Sequence, residues 1–232
     1  MTLLTLAGVA LFSSLGMWQL ERAELKREIE QRFKSQLEQP YRYVLLDTKQ
    51  NDSLQYQKIR LRGRYDNEHL FFVDNQLNNG VAGYHVLQPF FAIGESTALL
   101  VNRGWVAADP DRSRFPEILP PRLDNEVYGI LTIPSMEGFR LGEVQMTESW
   151  PQRIPFVDLE RMGLGLDFDI YPYLLWQAAE IDDYYVRNWQ PVWSPPEKSE
   201  AYALQWFSFA GVAFLMYLIL NFKPSNEENS DD

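Results

Sequence analysis

Residues 201–222 read AYALQWFSFAGVAFLMYLILNF, a run without charged side chains that ends at Lys223. A helix needs about 20 mainly apolar residues to cross the hydrocarbon core of a bilayer, and this run is long enough. Tyr202, Trp206 and Phe207 lie at its start, and aromatic side chains are enriched where helices enter the membrane interface. The run therefore predicts a transmembrane helix.

A second uncharged run, TLLTLAGVALFSSLGMWQL, covers residues 2–20. It is shorter and contains Thr, Ser and Gly, so a secretory signal peptide is the alternative to a membrane anchor. A signal peptide carries a basic segment before its apolar core and a small-x-small cleavage site, and neither is evident before Trp18. We therefore expect residues 2–20 to form a retained transmembrane helix.

Two spans place both termini on one side of the membrane and residues 21–200 on the other. Arg22, Lys26 and Arg27 follow the first run and favour a cytoplasmic loop. The positive-inside rule is weak, however, for loops longer than about 60 residues, which cross the membrane largely regardless of charge. Charge alone therefore leaves the side of the membrane open.

The composition excludes several classes of site and partner. The chain has 232 residues and no Cys, which excludes disulfides, thiol nucleophiles, Cys-ligated zinc and iron–sulfur clusters. Only two His are present, His69 and His85, so a His-rich metal centre is excluded as well. The formal net charge of -11 argues against nucleic acid as a partner.

The segment after the first run predicts a helical extension over residues 21–39. It is rich in strong helix formers such as Glu, Leu and Lys. Pairs of opposite charge four residues apart, such as Glu28 with Arg32, support the helix, and Pro40 ends it.

The sequence from 40 to 200 predicts a β-rich domain. Runs of β-branched and aromatic residues alternate with turn residues such as Asn78-Asn79-Gly80. The predicted strands are residues 57–65, 69–74, 84–93, 98–106, 126–133 and 171–179. Their spacing favours an antiparallel sheet that curls toward a barrel or a sandwich.

Three shorter segments complete the expected organisation. Residues 112–125 contain three Pro and predict an extended surface excursion, and residues 156–163 predict a short helix. Residues 223–232 predict a disordered, acidic tail. The fold class is therefore a membrane protein in which two transmembrane helices flank an α+β domain.

Candidate catalytic groups are few. Asp109 with Asp111 and Asp167 with Asp169 have the spacing of paired carboxylates, but both pairs lie in turn-like sequence, where Asp is common. The adjacent Asp182 and Asp183 have the same explanation. The sequence has no Gly-rich phosphate loop, G-x-S-x-G or HExxH motif. It therefore predicts a protein that is not an enzyme and has no metal site.

Two patches near the membrane have both a structural and a functional interpretation. Trp18, Gln19, Arg22 and Lys26 lie where the first helix leaves the membrane; they are interfacial anchors or a face that docks a partner or lipid headgroups. Tyr202, Gln205 and Trp206 lie where the second helix enters, and Gln205 is expected to hydrogen-bond the other helix or a partner. The two patches are expected to face each other as a polar and aromatic rim that suits a partner helix.

Two further patches lie on predicted strands. Tyr84 and His85 open one strand, and His69 and His85 are each expected to be ordinary half-buried strand residues. Asn102, Arg103 and Trp105 surround Gly104 in another strand, where Arg and Gly predict a β-bulge or an edge with an internally paired Arg. Structural roles are favoured for both patches, and all these residues remain candidates for contact with a partner.

The four patches, in this order and between two spans, resemble the Surfeit locus 1 (Shy-type) family of cytochrome oxidase assembly factors. The matching pieces are LGMWQLERAELK (15–26), GYHVLQPF (83–90), LLVNRGWV (99–106) and AYALQWFSFA (201–210). The resemblance implies a factor that acts on haem-a delivery to oxidase subunit I or with other oxidase assembly proteins. It also implies a domain outside the cytoplasm, in the periplasm for a bacterial inner-membrane protein.

The sequence departs from this resemblance at one position. Family members with proposed haem binding carry His three residues before the Tyr-Ala pair that opens the second span. Here the pair is Tyr202-Ala203, and the position is Ser199. Serine is a poor axial ligand for haem iron. We therefore expect an assembly role without direct haem ligation at this position.

Two other function classes are considered. A two-span extracytoplasmic receptor would need to transmit a signal inward, and only about ten residues follow the second span. A membrane-tethered enzyme would need a catalytic set, which the sequence lacks. The assembly factor remains the leading hypothesis.

Overall fold

A computed structural model describes residues 2–112, 114–119, 126–134, 143–179, 184–191 and 194–222. The helices are α1 (Thr2–Leu37), α2 (Leu159–Gly163) and α3 (Pro196–Asn221), and the strands are β1 (Lys58–Tyr65), β2 (Phe71–Asn78), β3 (Val81–Ala92), β4 (Ala98–Ala107), β5 (Glu126–Thr132), β6 (Gln152–Ile154) and β7 (Ile170–Gln177). Two compact units result: a helical unit of Met1–Phe33 with Gln190–Asp232, and a β unit of Lys34–Trp189. The tail expected at 223–232 lies outside the described residues.

The helical unit contains two helices that are long and apolar enough to cross a membrane, α1 and α3. The first predicted span and its extension form one helix, which ends at Leu37 shortly before Pro40. Helix α3 begins at Pro196, ahead of the uncharged run. Proline suits the first helical turn because its fixed φ is already helical and no N–H bond is lost there.

The two long helices pack antiparallel through small residues. Phe12 stacks on Trp206 with ring centroids 5.9 Å apart, whereas the later residue Lys26 contacts the earlier residue Ser199, which gives opposite chain directions. A Cβ added at the buried Gly16 would lie 2.7 Å from the Phe207 ring. Small residues favour helix packing in membranes because they let the neighbouring helix approach closely.

The β unit is built on a closed barrel of five strands. The strand order is β1-β5-β7-β4-β3, and a pairing between β1 and β3, such as Arg64 with Phe91, closes the ring. Strands β2 and β6 extend the sheet beyond β3. The predicted barrel is confirmed, and each of the six predicted strands is present with shifted ends.

The sheet is antiparallel except for two pairings, β4 with β7 and β2 with β6, which are parallel. The first has a topological cause. A ring of five strands cannot alternate in direction throughout, because five is odd, so at least one neighbouring pair must run parallel. The second joins the three-residue β6, which the sequence analysis did not predict, to the outer strand β2.

Alternating side chains of the strands fill the barrel. Ile59, Leu99, Leu131, Tyr173 and Leu175 are 0–1% exposed and belong to one interior cluster. A second cluster on the outer face of the sheet includes Met162 of α2, which agrees with the short helix predicted at 156–163. Burying such side chains contributes about 25 cal/mol per Å² of apolar surface, so these clusters supply most of the barrel's stability.

Two local expectations need correction. His69 lies just before β2 rather than on a strand, and its Nδ1 atom is 2.6 Å from a carboxylate oxygen of Asp66. The predicted surface excursion at 112–125 is partly packed: Phe115 stacks on Phe72 with ring centroids 4.6 Å apart, and Ile118 packs against the same cluster. The rest of that excursion, residues 113 and 120–125, lies outside the described residues.

Candidate functional site

The antiparallel helices form a polar cluster just beyond their uncharged runs. Lys26 Nζ donates hydrogen bonds of 2.9 Å to the hydroxyls of both Ser194 and Ser199. Next to it, Arg27 forms an ion pair with Glu200. Lys26 was expected to extend toward solvent or lipid headgroups beside Trp18; instead it binds the start of α3.

The remaining residues of the first patch stay accessible. The Arg22 guanidinium lies 5.1 Å from the centre of the Trp18 ring, a cation–π contact one helical turn apart. The Trp18 side chain is 47% exposed, and Gln19 is half-buried. This part of α1 therefore offers an aromatic and cationic surface.

The expected rim between the two patches does not form as predicted. Trp206 contacts Phe12 and, at 5.8 Å between ring centroids, Phe209. Tyr202 and Gln205 are exposed, and Gln205 makes no hydrogen bond to the described residues. Only Trp206 of the second patch thus packs between the helices.

The chemistry around Ser199 does not fit haem ligation. Ser199 is 4% exposed, and its hydroxyl accepts the hydrogen bond from Lys26. Haem iron takes nitrogen, sulfur or phenolate donors, and a serine hydroxyl is none of these. The two His lie in the β unit, where neither belongs to this cluster. At this position helix α3 carries a hydroxyl engaged by Lys26 and no nitrogen, sulfur or phenolate donor.

A second cluster surrounds His85 on β3. The His85 ring stacks on Trp189 at 5.7 Å between centroids, and Trp189 stacks on Trp176 at 5.4 Å. Asn102 hydrogen-bonds the imidazole, while Nδ1 is buried without a partner among the described residues. Burial lowers the pKa of His85 to about 4, so the ring is neutral at neutral pH.

Arg103 is the extra residue of a β-bulge, as the Arg-Gly sequence predicted. The register between β3 and β4 shifts here, and Gly104 has a φ of +123°, a region that favours glycine. The Arg103 side chain is 3% exposed and donates a 2.9 Å hydrogen bond to Gln88. Its guanidinium lies 4.7 Å from the centre of the Tyr185 ring. An amide and aromatic faces thus surround this buried cation.

Trp105 and Tyr84 have structural contacts in the β unit. The Trp105 indole N–H donates a 2.9 Å hydrogen bond to the backbone oxygen of Gln76. Tyr84 is fully buried and packs edge-on against Phe72, with ring centroids 5.5 Å apart. Both residues contact neighbouring parts of the β unit; Tyr84 is inaccessible to a partner from solvent, whereas Trp105 is half-buried.

The sequence analysis missed the strap, residues 184–191, which supplies Trp189, Tyr185 and Arg187 to this cluster. Val186 of the strap pairs with Trp105 through two backbone hydrogen bonds of 2.8 and 3.0 Å, and Arg187 Nε donates to the Arg103 oxygen at 2.6 Å. The alternation of aromatic and basic residues in YYVRNW (184–189) was the available signal. A single bridge involves too few residues to show the alternating sequence pattern of a strand.

No other chemistry emerges in the described part of the chain. There, no group of three or more His, Asp and Glu could hold a metal ion. Asp109 accepts a hydrogen bond from the backbone of Asp111 at 3.2 Å, the turn role that was expected. The pair Asp182-Asp183 lies outside the described residues.

Comparison with known proteins identifies a family and two similar relatives. The model of the SURF1 family matches residues 6–211. Surfeit locus protein 1 of Takifugu rubripes is 26% identical over 163 residues, 63% of this chain and 62% of the relative. Surfeit locus protein 1 of Xenopus tropicalis is 28% identical over 133 residues, 51% of this chain and 42% of the relative. The matched segments thus span less than two thirds of either relative.

Proposed function

Because this chain belongs to the SURF1 family, we propose that it is an assembly factor for haem-copper (cytochrome c) oxidase. It assists haem-a insertion into oxidase subunit I, or stabilises that subunit, together with other oxidase assembly proteins. The observation that carries the proposal is the family match over residues 6–211, which includes the whole β unit and reaches both long helices.

The proposed location is the bacterial inner membrane, with α1 and α3 as its two spans and the β unit in the periplasm. The length and apolar composition of both helices support the two-span arrangement. The antiparallel packing of α1 and α3 fits two successive crossings in opposite directions. The periplasmic side follows from the resemblance to the family, since the charges leave the side open.

The proposed mode of action is binding rather than catalysis. Trp18, Arg22, Tyr202 and Gln205 are exposed at the ends of the uncharged runs, where a helix of subunit I can meet them. Interfacial Trp and Tyr combine an apolar body with a polar end, and Gln can hydrogen-bond a neighbouring helix. The chain then acts as a chaperone of the respiratory chain.

Haem a, in this proposal, is handled without an axial ligand from α3. The hydroxyl of Ser199 and its hydrogen bond from Lys26 support this view. The protein favours the form of subunit I that accepts haem a, and subunit I supplies the ligands of the iron.

A deletion strain tests the proposed function. Redox difference spectra of its membranes should lose a-type absorbance, and oxidase activity should fall, while b- and c-type cytochromes remain. A plasmid copy of the gene should restore both signals. An unchanged a-type spectrum in a strain that also lacks every paralogue would remove the proposal.

A further inference from the structure

Strand β1 carries a row of cations on the outside of the barrel. Its sequence KIRLRGRY alternates strictly, and the inward residues Ile59 and Leu61 belong to the barrel interior. The outward side chains form what we call the basic face: Lys58, Arg60, Arg62 and Arg64. Outward residues of a strand recur about every 6.6 Å, so the four cations cover a line of roughly 20 Å.

Aromatic rings hold three of these cations in place. Lys58 Nζ lies 4.5 Å from the centre of the Tyr41 ring, and the Arg60 guanidinium lies 5.4 Å from that of Tyr43. The Arg64 guanidinium lies 5.0 Å from the centre of the Phe91 ring. Stacked cations lose less conformational freedom when a ligand binds, and a pre-organised surface binds more tightly for that reason.

The basic face is poorly neutralised by the chain itself. Among the described residues, Glu126 is the one carboxylate within 4.0 Å of these cations, at 3.0 Å from Arg60 and 3.7 Å from Arg62. The hydrogen bond from Arg60 lowers the pKa of Glu126, so this carboxylate stays ionised and engaged. The Arg62 side chain is still 66% exposed. Lys58 Nζ also donates a 2.9 Å hydrogen bond to the backbone oxygen of Leu37, so the open positive charge is concentrated at Arg62 and Arg64.

An open apolar groove of about 280 Å³ lies beside Arg62. Tyr43, Leu45, Ile93 and Tyr171 contribute to its walls, together with Arg62 and with Glu95, whose carboxylate accepts a 3.2 Å hydrogen bond from the Tyr171 hydroxyl. Leu45 is 91% exposed and Ile93 is 76% exposed. Large apolar side chains so open to solvent, next to charged residues, are typical of a surface that binds another molecule.

We propose that the basic face and this groove together dock an acidic, extended segment of a partner protein that carries an apolar anchor residue. Charge complementarity selects the acidic side chains, because among the described residues one carboxylate, Glu126, lies within 4.0 Å of the four cations. The spacing selects an extended segment, whose alternate side chains repeat at the distance of the cations. The groove selects the apolar anchor residue. A flat lipid surface would not supply such a single apolar side chain. The proposal is independent of the oxidase role.

The binding test uses the detergent-purified full chain and a synthetic peptide of about ten residues, longer than the roughly seven that span the row. The peptide has Glu at alternate positions, Ser between them and Leu at one end, and carries a fluorescent label. Fluorescence anisotropy should show saturable binding that weakens as salt rises, because exposed charges are screened. A peptide with Gln in place of Glu should not bind.

Variants of matched charge locate the site. Arg62→Glu with Arg64→Glu should weaken peptide binding at least about tenfold, the effect expected of reversed contacts with two charges. The control changes two exposed cations elsewhere, Lys49→Glu with Arg161→Glu, and should change binding less than about twofold. If the double reversal unfolds the barrel, Arg64→Gln and Leu45→Ser, each alone, replace it and should each weaken binding.

Three outcomes would overturn the proposal: no saturable binding, equal losses in the two charge-matched variants, or equal binding of the Gln peptide. Vesicles with anionic lipids test the competing occupant. If they bind the protein through Arg62 and Arg64 and the peptide does not, the basic face is a membrane contact and the proposal fails.

A crosslinking experiment in cells identifies the segment that binds this surface. A photo-crosslinking residue at Ile93 should capture a segment that mass spectrometry shows to be rich in Asp and Glu, and the Arg62→Glu, Arg64→Glu variant should lose this product. Capture of a segment without acidic residues would count against the proposal.

Discussion

Ser199 is buried and bonded to Lys26, at a position where the resemblance implies His in members with proposed haem binding. We predict that the detergent-purified protein retains little haem and that Ser199→His raises haem retention, because imidazole supplies the nitrogen donor that a hydroxyl lacks. Ser199→Ala is the control and should retain no more haem than the wild type. Pyridine haemochrome spectra measure the content. Stoichiometric haem a in the wild type would show that another residue holds it.

His85 gives a residue-scale prediction about pH. Its pKa is about 4 in the folded protein because burial disfavours the charged ring, and about 6.5 when unfolded. The unfolded chain therefore binds the proton more readily between these values. The stability contributed by the neutral ring is complete above pH 6.5 and is lost as the pH falls toward 4, by up to about 3 kcal/mol.

The variant His85→Phe keeps a ring against Trp189 but removes the titrating group. Denaturant unfolding followed by Trp fluorescence at pH 7.5 and pH 5 measures the effect. The wild type should lose more stability than the variant between these two values. Equal losses of stability in the wild type and the variant would show that His85 does not titrate in this range.

Residue chemistry was predictable from the sequence where it acts locally. The Arg-Gly pair predicted the β-bulge. Position 104 has a positive φ, which favours glycine. Lys26 was misjudged because its partners, Ser194 and Ser199, lie more than 160 positions away in the chain. A contact over such a separation depends on the tertiary fold, and a local pattern of charges does not contain it.

At the scale of elements, the helix pair depends on Gly16. A Cβ there would meet the Phe207 ring at 2.7 Å, whereas Gly8 of the same helix has open space around it. We predict that Gly16→Leu separates α1 from α3, at a cost of about 1–3 kcal/mol for overpacking, and that Gly8→Leu is tolerated.

The absence of Cys makes this prediction easy to measure. Phe12→Cys with Trp206→Cys adds one thiol to each helix at a pair of stacked rings. A short bismaleimide should cross-link the pair in the otherwise unchanged chain and in Gly8→Leu. The yield should fall several-fold in Gly16→Leu. Equal yields in the two glycine variants would contradict the predicted packing.

Elements with a strong repeating pattern were predictable, and elements without one were not. The uncharged runs overlap α1 and α3, and the alternating runs overlap six of the strands. Strand β6 has three residues, Gln152–Ile154, two of them polar, so its sequence carries no alternation to detect. The strap has one bridge, at Val186, and was overlooked for the same reason.

For the whole molecule, the proposed topology gives a direct prediction. Alkaline phosphatase inserted at the Asn78–Gly80 turn, between β2 and β3, should be active because the enzyme folds only outside the cytoplasm. The same enzyme fused after Asn221 should be inactive. Activity at the second position and not at the first would reverse the proposed orientation of the chain.

The parallel pairing of β4 and β7 shows what strand counting can achieve. Predicting six strands did not determine how many of them belong to the closed ring, because β2 lies outside the ring. Once the ring is known to contain five, one parallel pair is unavoidable. The sequence patterns of single strands therefore implied a curled sheet, while the pairing order depended on contacts between distant residues.

The ring order also governs when the barrel can form during synthesis. Strand β7 is the last to leave the ribosome, and it fills the gap between β4 and β5. Until residue 177 has emerged, both of those strands present an unpaired edge, the feature that makes β proteins prone to misassociate. Helix α3 follows at Pro196, a short length of chain later. A nascent chain that stalls before β7 is therefore an open sheet that follows α1 alone, and it presents unpaired strand edges to protein quality control.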